Sequence, residues 1–316
     1  MRALVTGASG YLGSAFADAC DKQGFDVIRA ARNAPSTPSW VTMPSLDGGR
    51  LDTLPLDVDV VVHFAGIAHR HPPDAPDPAT YLRVNGEAVG NLARACRGRA
   101  KTLVFVSSVA AIGAGHRGPI TPATRPMPAT PYGQAKLLGE RLAAEALQGE
   151  STALRIVRLS AVFGARAPGA VTQLGHWIRQ GRPVPSACVH ARRSVISVDD
   201  AVDAIRVACL DAALNNRVIM PCAHETLDTL ALARRIAAVC GKRLRVMPCP
   251  RTALVAGETC LRTIGLGSSS VARGLSRLLE SCEVVDDTLQ RIAGWKPPCG
   301  LDEGIRRAFG TWLPDH

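Results

Sequence analysis

The chain has 316 residues, of which 47% are hydrophobic and 20% are charged, and it carries a formal net charge of +10. This length can bury a sizeable core, either in one large α/β domain or in a domain with a smaller lobe. No apolar run approaches the ~20 residues that cross a bilayer, which excludes membrane insertion. The first strand begins at once, without the pattern of a signal peptide, so we expect a cytoplasmic protein.

The positive charge is spread along the chain and forms no dense basic run. Aromatic residues make up only 4% of the sequence and offer few rings to stack on bases, so we expect no nucleic-acid partner. The cysteines form no CxxC pair and no Cys/His cluster with metal-ligand spacing. We therefore expect free, mostly buried thiols and no metal site.

The N-terminal segment predicts a dinucleotide site. An apolar strand at Ala3–Val5 leads into the sequence TGASGYLG, and a helix is expected from about Leu12 to Lys22. Gly7 permits a tight turn, Gly10 lets the backbone approach a pyrophosphate, and Gly13 allows close packing of the helix on the strand. The helix would direct its N-terminal amides at the phosphates.

The end of the second predicted strand, Phe25 to Ala31, bears on the choice of cofactor. NAD-binding domains usually place a carboxylate here for the ribose hydroxyls. In this chain Ala31 takes that position and Arg32 follows, a cation suited to the 2′-phosphate of NADP. We predict that NADP(H) is favoured over NAD(H), with a plain surface role for Arg32 as the alternative.

A second group of residues predicts proton-transfer chemistry. Ser108 follows a predicted strand at 101–106, and Tyr132 and Lys136 open a predicted helix, four residues apart and therefore on one face. A lysine ammonium beside a phenol lowers the pKa of the phenol, which would make it a usable proton donor or acceptor near neutral pH. We predict that Ser108, Tyr132 and Lys136 are catalytic and that His63, at a strand end, is structural or at the surface.

The glycine loop, the strand-end serine and the YxxxK pair, in this order and spacing, resemble the extended short-chain dehydrogenase/reductase family. The nearest resemblance is to its NAD-dependent epimerase/dehydratase members, which act on nucleotide sugars. Segments 157–164 (VRLSAVFG) and 193–200 (RSVISVDD) resemble motifs of the same family. So does the segment at 293–298 (AGWKPP), which is similar to the LGWxPP ending of these proteins.

The resemblance implies roles for individual residues. Ser108 would hydrogen-bond the reacting sugar oxygen, Tyr132 would act as acid and base, and Lys136 would hold the nicotinamide ribose. Asn85, on a helix expected from about 80 to 97, would brace the strands near the nicotinamide, and Arg193 would pair with a substrate phosphate. The full set of predicted cofactor-binding residues is Gly7, Ser9, Gly10, Tyr11, Leu12, Arg32, Phe64, Ala65, Gly66, Tyr132 and Lys136. The predicted substrate-binding residues are Ser108, Arg193, Arg273 and Arg277.

The resemblance also implies a doubly wound parallel α/β sheet of the Rossmann type with a smaller C-terminal substrate-binding lobe. We expect residues 1–165, with 193–222 returning to them, to form the dinucleotide-binding domain. Residues 166–192 and 223–316 would form the lobe. Relatives of this type often dimerise through a helix bundle that includes the YxxxK helix, which predicts a homodimer.

The expected reaction is a nicotinamide-dependent oxidation or reduction of a UDP-sugar. Dehydratases of the family carry an Asp-Glu pair directly after the catalytic Ser or Thr. Here Val109 and Ala110 stand in those places, which argues against a dehydratase. Our first interpretation is NADPH-dependent reduction of a UDP-4-keto-6-deoxy-hexosamine in bacterial surface polysaccharide biosynthesis. The alternatives are a UDP-hexose or UDP-N-acetylhexosamine 4-epimerase with tightly bound NAD, and a non-catalytic NADP-binding protein.

Overall fold

The computed structural model describes residues 1–46, 48–67, 76–113, 116, 118–186, 191–223, 225–250, 252–253, 256 and 281–310. The strands are β1 (Arg2–Thr6), β2 (Asp26–Ala31), β3 (Trp40–Thr42), β4 (Val60–His63), β5 (Thr102–Ser108), β6 (Ala153–Leu159), β7 (Ala161–Phe163), β8 (Val184–Pro185), β9 (Arg192–Arg193), β10 (Val195–Ser197), β11 (Arg217–Ile219), β12 (Leu227–Asp228) and β13 (Val246–Met247). The helices are α1 (Tyr11–Lys22), α2 (Pro78–Leu82), α3 (Ala88–Cys96), α4 (Pro131–Leu147), α5 (Ala170–Arg179), α6 (Val198–Leu210), α7 (Thr229–Val239), α8 (Thr288–Ala293) and α9 (Gly300–Phe309).

Among the described residues, seven strands form one parallel sheet in the order β3-β2-β1-β4-β5-β6-β11. Chain order reverses between β1 and β4, the position at which ligands bind in doubly wound sheets. The predicted Rossmann-type fold is confirmed. The carboxyl end of β1 opens into the glycine loop at this switch point, so the topology itself puts that loop at the ligand crevice.

The alternation of side chains along the strands gives the sheet two covered faces. Ala3 and Val5 of β1 join one buried cluster with α1 and α6, while Leu4 joins the opposite cluster with α3 and α4. A third buried cluster is built by α5, α7 and α9, whose apolar faces meet around Ile236 and Phe309. The central strands read as near-continuous apolar runs because both of their faces are buried.

Two elements differ from the sequence-based expectation. The helix expected from about 80 to 97 is divided into α2, a π-helical turn over Arg83–Glu87, and α3. The amphipathic pattern of residues 226–239 predicts a helix over that range, whereas α7 begins at Thr229. Leu227–Asp228 instead pair with β9 as β12, and the Asp228 side chain caps the helix.

The eight cysteines in the described part of the chain are free thiols, and Cys20, Cys96, Cys209 and Cys240 are buried. None of the described helices combines the length and apolarity that a membrane crossing requires.

Candidate active site

The glycine loop is built to bring backbone close to a ligand. Gly7 has a φ of 72°, and its N–H donates to the carbonyl of Ala30 at 2.9 Å. A Cβ on Gly7 would lie 2.6 Å from the amide nitrogen of Ala65, so only glycine fits. A Cβ on Gly13 would meet the carbonyl oxygen of Gly7, which ties the first turn of α1 to the loop.

The start of α1 suits an anion. Gly10 is its N-cap and makes no side-chain capping bond, and the first turn contains no acidic residue. The first backbone N–H groups of a helix are donors that intrahelical bonds leave unpaired, and they favour phosphate. Ser9 and Gly10 are exposed, while Tyr11 and Leu12 are partly buried. These residues therefore fit the pyrophosphate of a dinucleotide.

The loop after β4 forms the other wall of the crevice. Phe64 packs against Phe16 of α1 with ring centroids 5.3 Å apart. The Asn85 side chain accepts from the N–H of Ile67 at 2.7 Å and donates to its carbonyl at 2.6 Å. A Cβ on Gly66 would meet the Asn85 amide oxygen at 2.6 Å. The π-helical turn that carries Asn85 thus holds the backbone that follows β4.

Arg32 lies at the far end of the crevice, just after β2, and its side chain is exposed. Its neighbour on the strand, Arg29, is instead bound to Asp18 and Asp21 of α1. Ala31, in the position of the usual carboxylate, is buried. The structure therefore leaves Arg32 available to a ligand without assigning it one.

The predicted catalytic residues are brought together at the ends of β5 and α4. Thr130 caps α4 by accepting from the N–H of Gly133, and Pro131 stands in the first turn, where proline is favoured. Tyr132 is hydrogen-bonded to Ser108, and its ring lies edge-on to that of Tyr81, with centroids 6.4 Å apart. Lys136 is buried one helical turn further along.

The pKa of Tyr132 differs from the sequence-based expectation. Burial raises it to about 12, the hydrogen bond from Ser108 lowers it in part, and the Tyr81 phenol raises it. The Lys136 ammonium donates to the carbonyl of Val106 at 3.0 Å. The predicted lowering of this pKa by Lys136 is therefore wrong for the protein alone, because burial dominates and the ammonium is directed at the backbone of β5.

Lys136 and His63 are ionisable groups buried next to each other. Burial lowers the pKa of Lys136 to about 8, opposed by the negative charge of Glu140. Burial, and next the Lys136 charge, lower the pKa of His63 to about 3, so its ring is neutral at physiological pH. His63 Nδ1 lies 2.7 Å from the Thr6 hydroxyl, which links the carboxyl ends of β4 and β1.

Sequence reasoning missed Glu140 as part of this site. It lies four residues after Lys136 and eight after Tyr132, so all three share one helix face. That repeat of polar residues on an otherwise apolar face was the available signal. Its carboxylate binds Ser107 and Arg158, both buried.

The predicted substrate-binding arginines are only partly described. Arg193 is half-buried in β9, and its backbone forms an isolated β-bridge with Cys282. Val284, two residues after Cys282, forms a second β-bridge with Ile120. The short segment at 282–284 thus joins the Arg193 region to the chain that follows Ser108, the predicted catalytic serine. Arg273 and Arg277 lie outside the described residues.

Comparison with known proteins agrees with this geometry. A model of the NAD dependent epimerase/dehydratase family matches residues 3–219. The UDP-glucose 4-epimerase of Vibrio cholerae is 26% identical over 323 aligned positions, covering 98% of this chain and 95% of that protein. The UDP-glucose 4-epimerase of Azospirillum brasilense is 32% identical over 54% of this chain and 52% of its own length.

Solved structures agree on the fold. The UDP-glucuronic acid 4-epimerase of Bacillus cereus, in complex with UDP-glucuronic acid and NAD, superposes with a TM-score of 0.76 at 19% identity, covering 99% of this chain and 98% of the other. The UDP-glucose 4-epimerase of Thermus thermophilus in complex with NAD gives a TM-score of 0.73 at 22% identity and 99% coverage of both chains.

Proposed function

Because the chain belongs to the NAD-dependent epimerase/dehydratase family of extended short-chain dehydrogenases/reductases, we propose that this enzyme is a UDP-sugar 4-epimerase that uses NAD. The observation that carries the proposal is the hydrogen-bonded Ser108–Tyr132 pair with Lys136 one turn away, at the same carboxyl edge of the sheet as the glycine loop. The Vibrio cholerae and Azospirillum brasilense relatives are 4-epimerases, and the two solved structures named above are complexes with NAD. This support favours the epimerase alternative over the reductase that the sequence alone put first.

In the proposed reaction, Tyr132 exchanges a proton with the C4 hydroxyl of the sugar. It would take the proton as the C4 carbonyl forms and return it once the sugar presents its other face. Ser108 would donate to the same oxygen and hold it against the phenol. When bound, NAD would supply the hydride acceptor and donor and, in its oxidised form, a positive charge. Lys136, whose pKa of about 8 leaves it mainly protonated at pH 7, donates to the Val106 carbonyl and would hold the nicotinamide ribose. The positive charge of NAD would favour the phenolate form of Tyr132.

The two residues after Ser108 favour an oxidation and reduction of the sugar without elimination of water. Val109 and Ala110 form a short 3₁₀ turn, and Val109 packs against a buried apolar cluster. Neither side chain can transfer a proton, so a dehydratase step has no acid or base at these positions.

A 4-keto-sugar reductase is the second candidate, and one observation favours it. Arg32 is an exposed cation at the end of β2, where an acidic residue would exclude the 2′-phosphate of NADP. The preference for NADP(H), a role in surface polysaccharide biosynthesis, the homodimer and the cytoplasmic location stay predictions.

We also propose the division into two parts expected from the sequence, with residues 1–165 and 193–222 forming the dinucleotide-binding domain. In support, β11 pairs with β6 and completes the parallel sheet. Residues 166–192 and 223–316 would form the substrate lobe, which is supported by the separate buried cluster of α5, α7 and α9. Arg193, at the junction, would contact a substrate phosphate, and Arg273 and Arg277 are proposed to do the same.

The test measures both the reaction and the cofactor. Purified protein is incubated with UDP-glucose, UDP-galactose and their N-acetylamino counterparts without added nicotinamide, and the sugars are followed by NMR. We expect conversion between the C4 epimers of at least one pair, and release of NAD when the protein is unfolded. Absence of epimerisation, together with oxidation of added NADPH by a UDP-4-keto-6-deoxy sugar, would instead identify a reductase.

A further inference from the structure

A buried polar cluster lies directly behind the catalytic helix face. The Ser107 hydroxyl donates to Glu140 Oε1 at 2.6 Å. Arg158 donates to both oxygens of the same carboxylate, through Nε at 3.0 and 3.2 Å and through Nη2 at 2.6 Å. Ser107 and Glu140 are each 4% exposed, and Arg158 is 5% exposed. We refer to Ser107, Glu140 and Arg158 as the polar clamp.

The polar clamp joins three elements at one point. Ser107 and Arg158 are direct partners across β5 and β6, and Glu140 reaches them from α4. Ser108 follows Ser107 on the strand, while Lys136 precedes Glu140 by one helical turn. The clamp therefore lies within one residue of Ser108 on the strand and one turn of Lys136 on the helix.

Besides the bonds of Lys136 to the Val106 carbonyl and of Arg97 to the Ala146 carbonyl, α4 packs largely through small residues and apolar side chains. A Cβ on Gly86 or Gly90 would meet Leu138 or Leu142 of α4, and a Cβ on Gly139 would meet the backbone of Asn85 at 2.8 Å. These close approaches hold the helix tightly, but apolar contacts are non-directional. The polar clamp is directional, so together with the Lys136 bond to Val106 it restricts how far α4 can shift along β5.

Stability alone gives a weak reason for the polar clamp. Replacing a buried ion pair with apolar residues often leaves stability unchanged or raises it, because desolvation offsets the attraction. Arg158 Nη1 is buried and, within the described residues, has no hydrogen-bond partner. A buried donor left unpaired is unfavourable. The cluster is therefore better explained by the geometry it imposes.

We propose that Ser107, Glu140 and Arg158 are positioning residues that fix α4 against β5, and so set Tyr132 against Ser108 and Lys136 against the crevice. The inference rests on the proposed function, in that its main assay is sugar epimerisation. A shift of about 1 Å in a reacting group can lower a rate about 100-fold, so loss of the clamp would act mainly on kcat.

The test uses a variant in which the clamp carries no charge, Ser107→Ala/Glu140→Leu/Arg158→Met, in the full chain. The matched control is Arg155→Met. Arg155 is 4% exposed on the same strand, but it binds Asn215 and the Ala208 carbonyl, away from α4. Thermal melting, kcat and KM for the UDP-sugar, and NADH affinity by fluorescence titration are measured for each protein. Ser107→Ala alone serves as a mild second variant.

We expect the triple variant to keep a melting temperature near that of the wild type while kcat falls about tenfold or more and KM changes little. Ser107→Ala should lower kcat about threefold, and Arg155→Met should lower only the melting temperature. A triple variant with kcat within about twofold of the wild type would overturn the proposal. If the triple variant fails to fold, unchanged kcat in Ser107→Ala has the same consequence.

A wild-type protein without turnover would refute the proposed function but would leave the clamp testable. The NADH titration then decides, because Lys136 is expected to contact the nicotinamide ribose. About tenfold weaker binding by the triple variant, with unchanged binding by Arg155→Met, would support the clamp. Equal binding by all three proteins would overturn it.

Discussion

Substitution of Gly7 by alanine isolates the close approach between the glycine loop and the loop after β4. An L-residue at a φ of 72° is strained by about 1–2 kcal/mol. The added Cβ would also lie 2.6 Å from Ala65 N and 2.8 Å from Ala65 Cα, both backbone atoms. Overpacking against atoms that cannot rotate away costs about 1–3 kcal/mol. The expected loss is therefore about 2–5 kcal/mol of unfolding free energy.

Gly24 provides a matched control for this prediction. Its φ is 78°, and a Cβ there would have nothing within 4 Å. Gly24→Ala thus carries the same strain and the same change in the unfolded chain, without the contacts. Urea denaturation of both variants should give a difference of about 1–3 kcal/mol, with Gly7→Ala the less stable.

Cofactor titration completes the test of the glycine loop. Gly7→Ala is expected to weaken NADH binding at least about tenfold, because the displaced loop can no longer follow the pyrophosphate, and Gly24→Ala should bind normally. Equal destabilisation of the two variants, or normal NADH binding by Gly7→Ala, would refute the reasoning.

Other predictions concern proton transfer, cofactor choice and acid stability. Tyr132→Phe should lower epimerase turnover at least about 100-fold, because the phenol is the proton carrier. Tyr81→Phe keeps the ring packing and should retain most activity. Equal losses of turnover in the two variants would contradict the assignment of Tyr132. In parallel titrations, Arg32→Ala should weaken NADP(H) binding about tenfold and leave NAD(H) binding unchanged, since only NADP(H) carries the 2′-phosphate. Equal effects on the two cofactors would rule out a contact between Arg32 and the 2′-phosphate. Because the pKa of His63 is about 3 when folded and about 6.5 when unfolded, the unfolded state binds the extra proton between these values. His63 should therefore remove about 1.4 kcal/mol of unfolding free energy per pH unit as the pH falls from about 6.5 to about 3. Urea denaturation over this pH range should show a weaker pH dependence of the unfolding free energy for His63→Gln than for the wild type. The same pH dependence in both proteins would contradict the buried neutral ring.

The sequence could predict the parts of the site that depend on local spacing. The glycine loop follows from a strand, a glycine pattern and a helix within one βαβ unit, and Tyr132 and Lys136 share a face by helix geometry alone. The π-helical turn at Asn85 was not predictable in this way. The turn carries a tertiary hydrogen bond from Ile67, which lies eighteen residues earlier, and helix spacing gives no sign of that contact.

The polar clamp escaped prediction for a similar reason. Glu140 and Arg158 read as ordinary charged residues of a helix and a strand. Only the packing of α4 on the sheet brings them to one buried point. The pKa of Tyr132 also depends on burial that spacing cannot reveal.

The order of strands in the sheet has a consequence for how the chain is made. β1 is synthesised first yet lies centrally, and its Thr6 must find His63, 57 residues later. The outer edge of β6 stays unpaired for a longer stretch of synthesis than that of β1. The N–H of Leu154 donates to the side chain of Asn216, which lies 62 residues further along the chain. Until β11 emerges from the ribosome, the nascent chain therefore exposes an unpaired strand edge beside apolar Leu154 and Ile156. That interval is where aggregation competes most directly with folding.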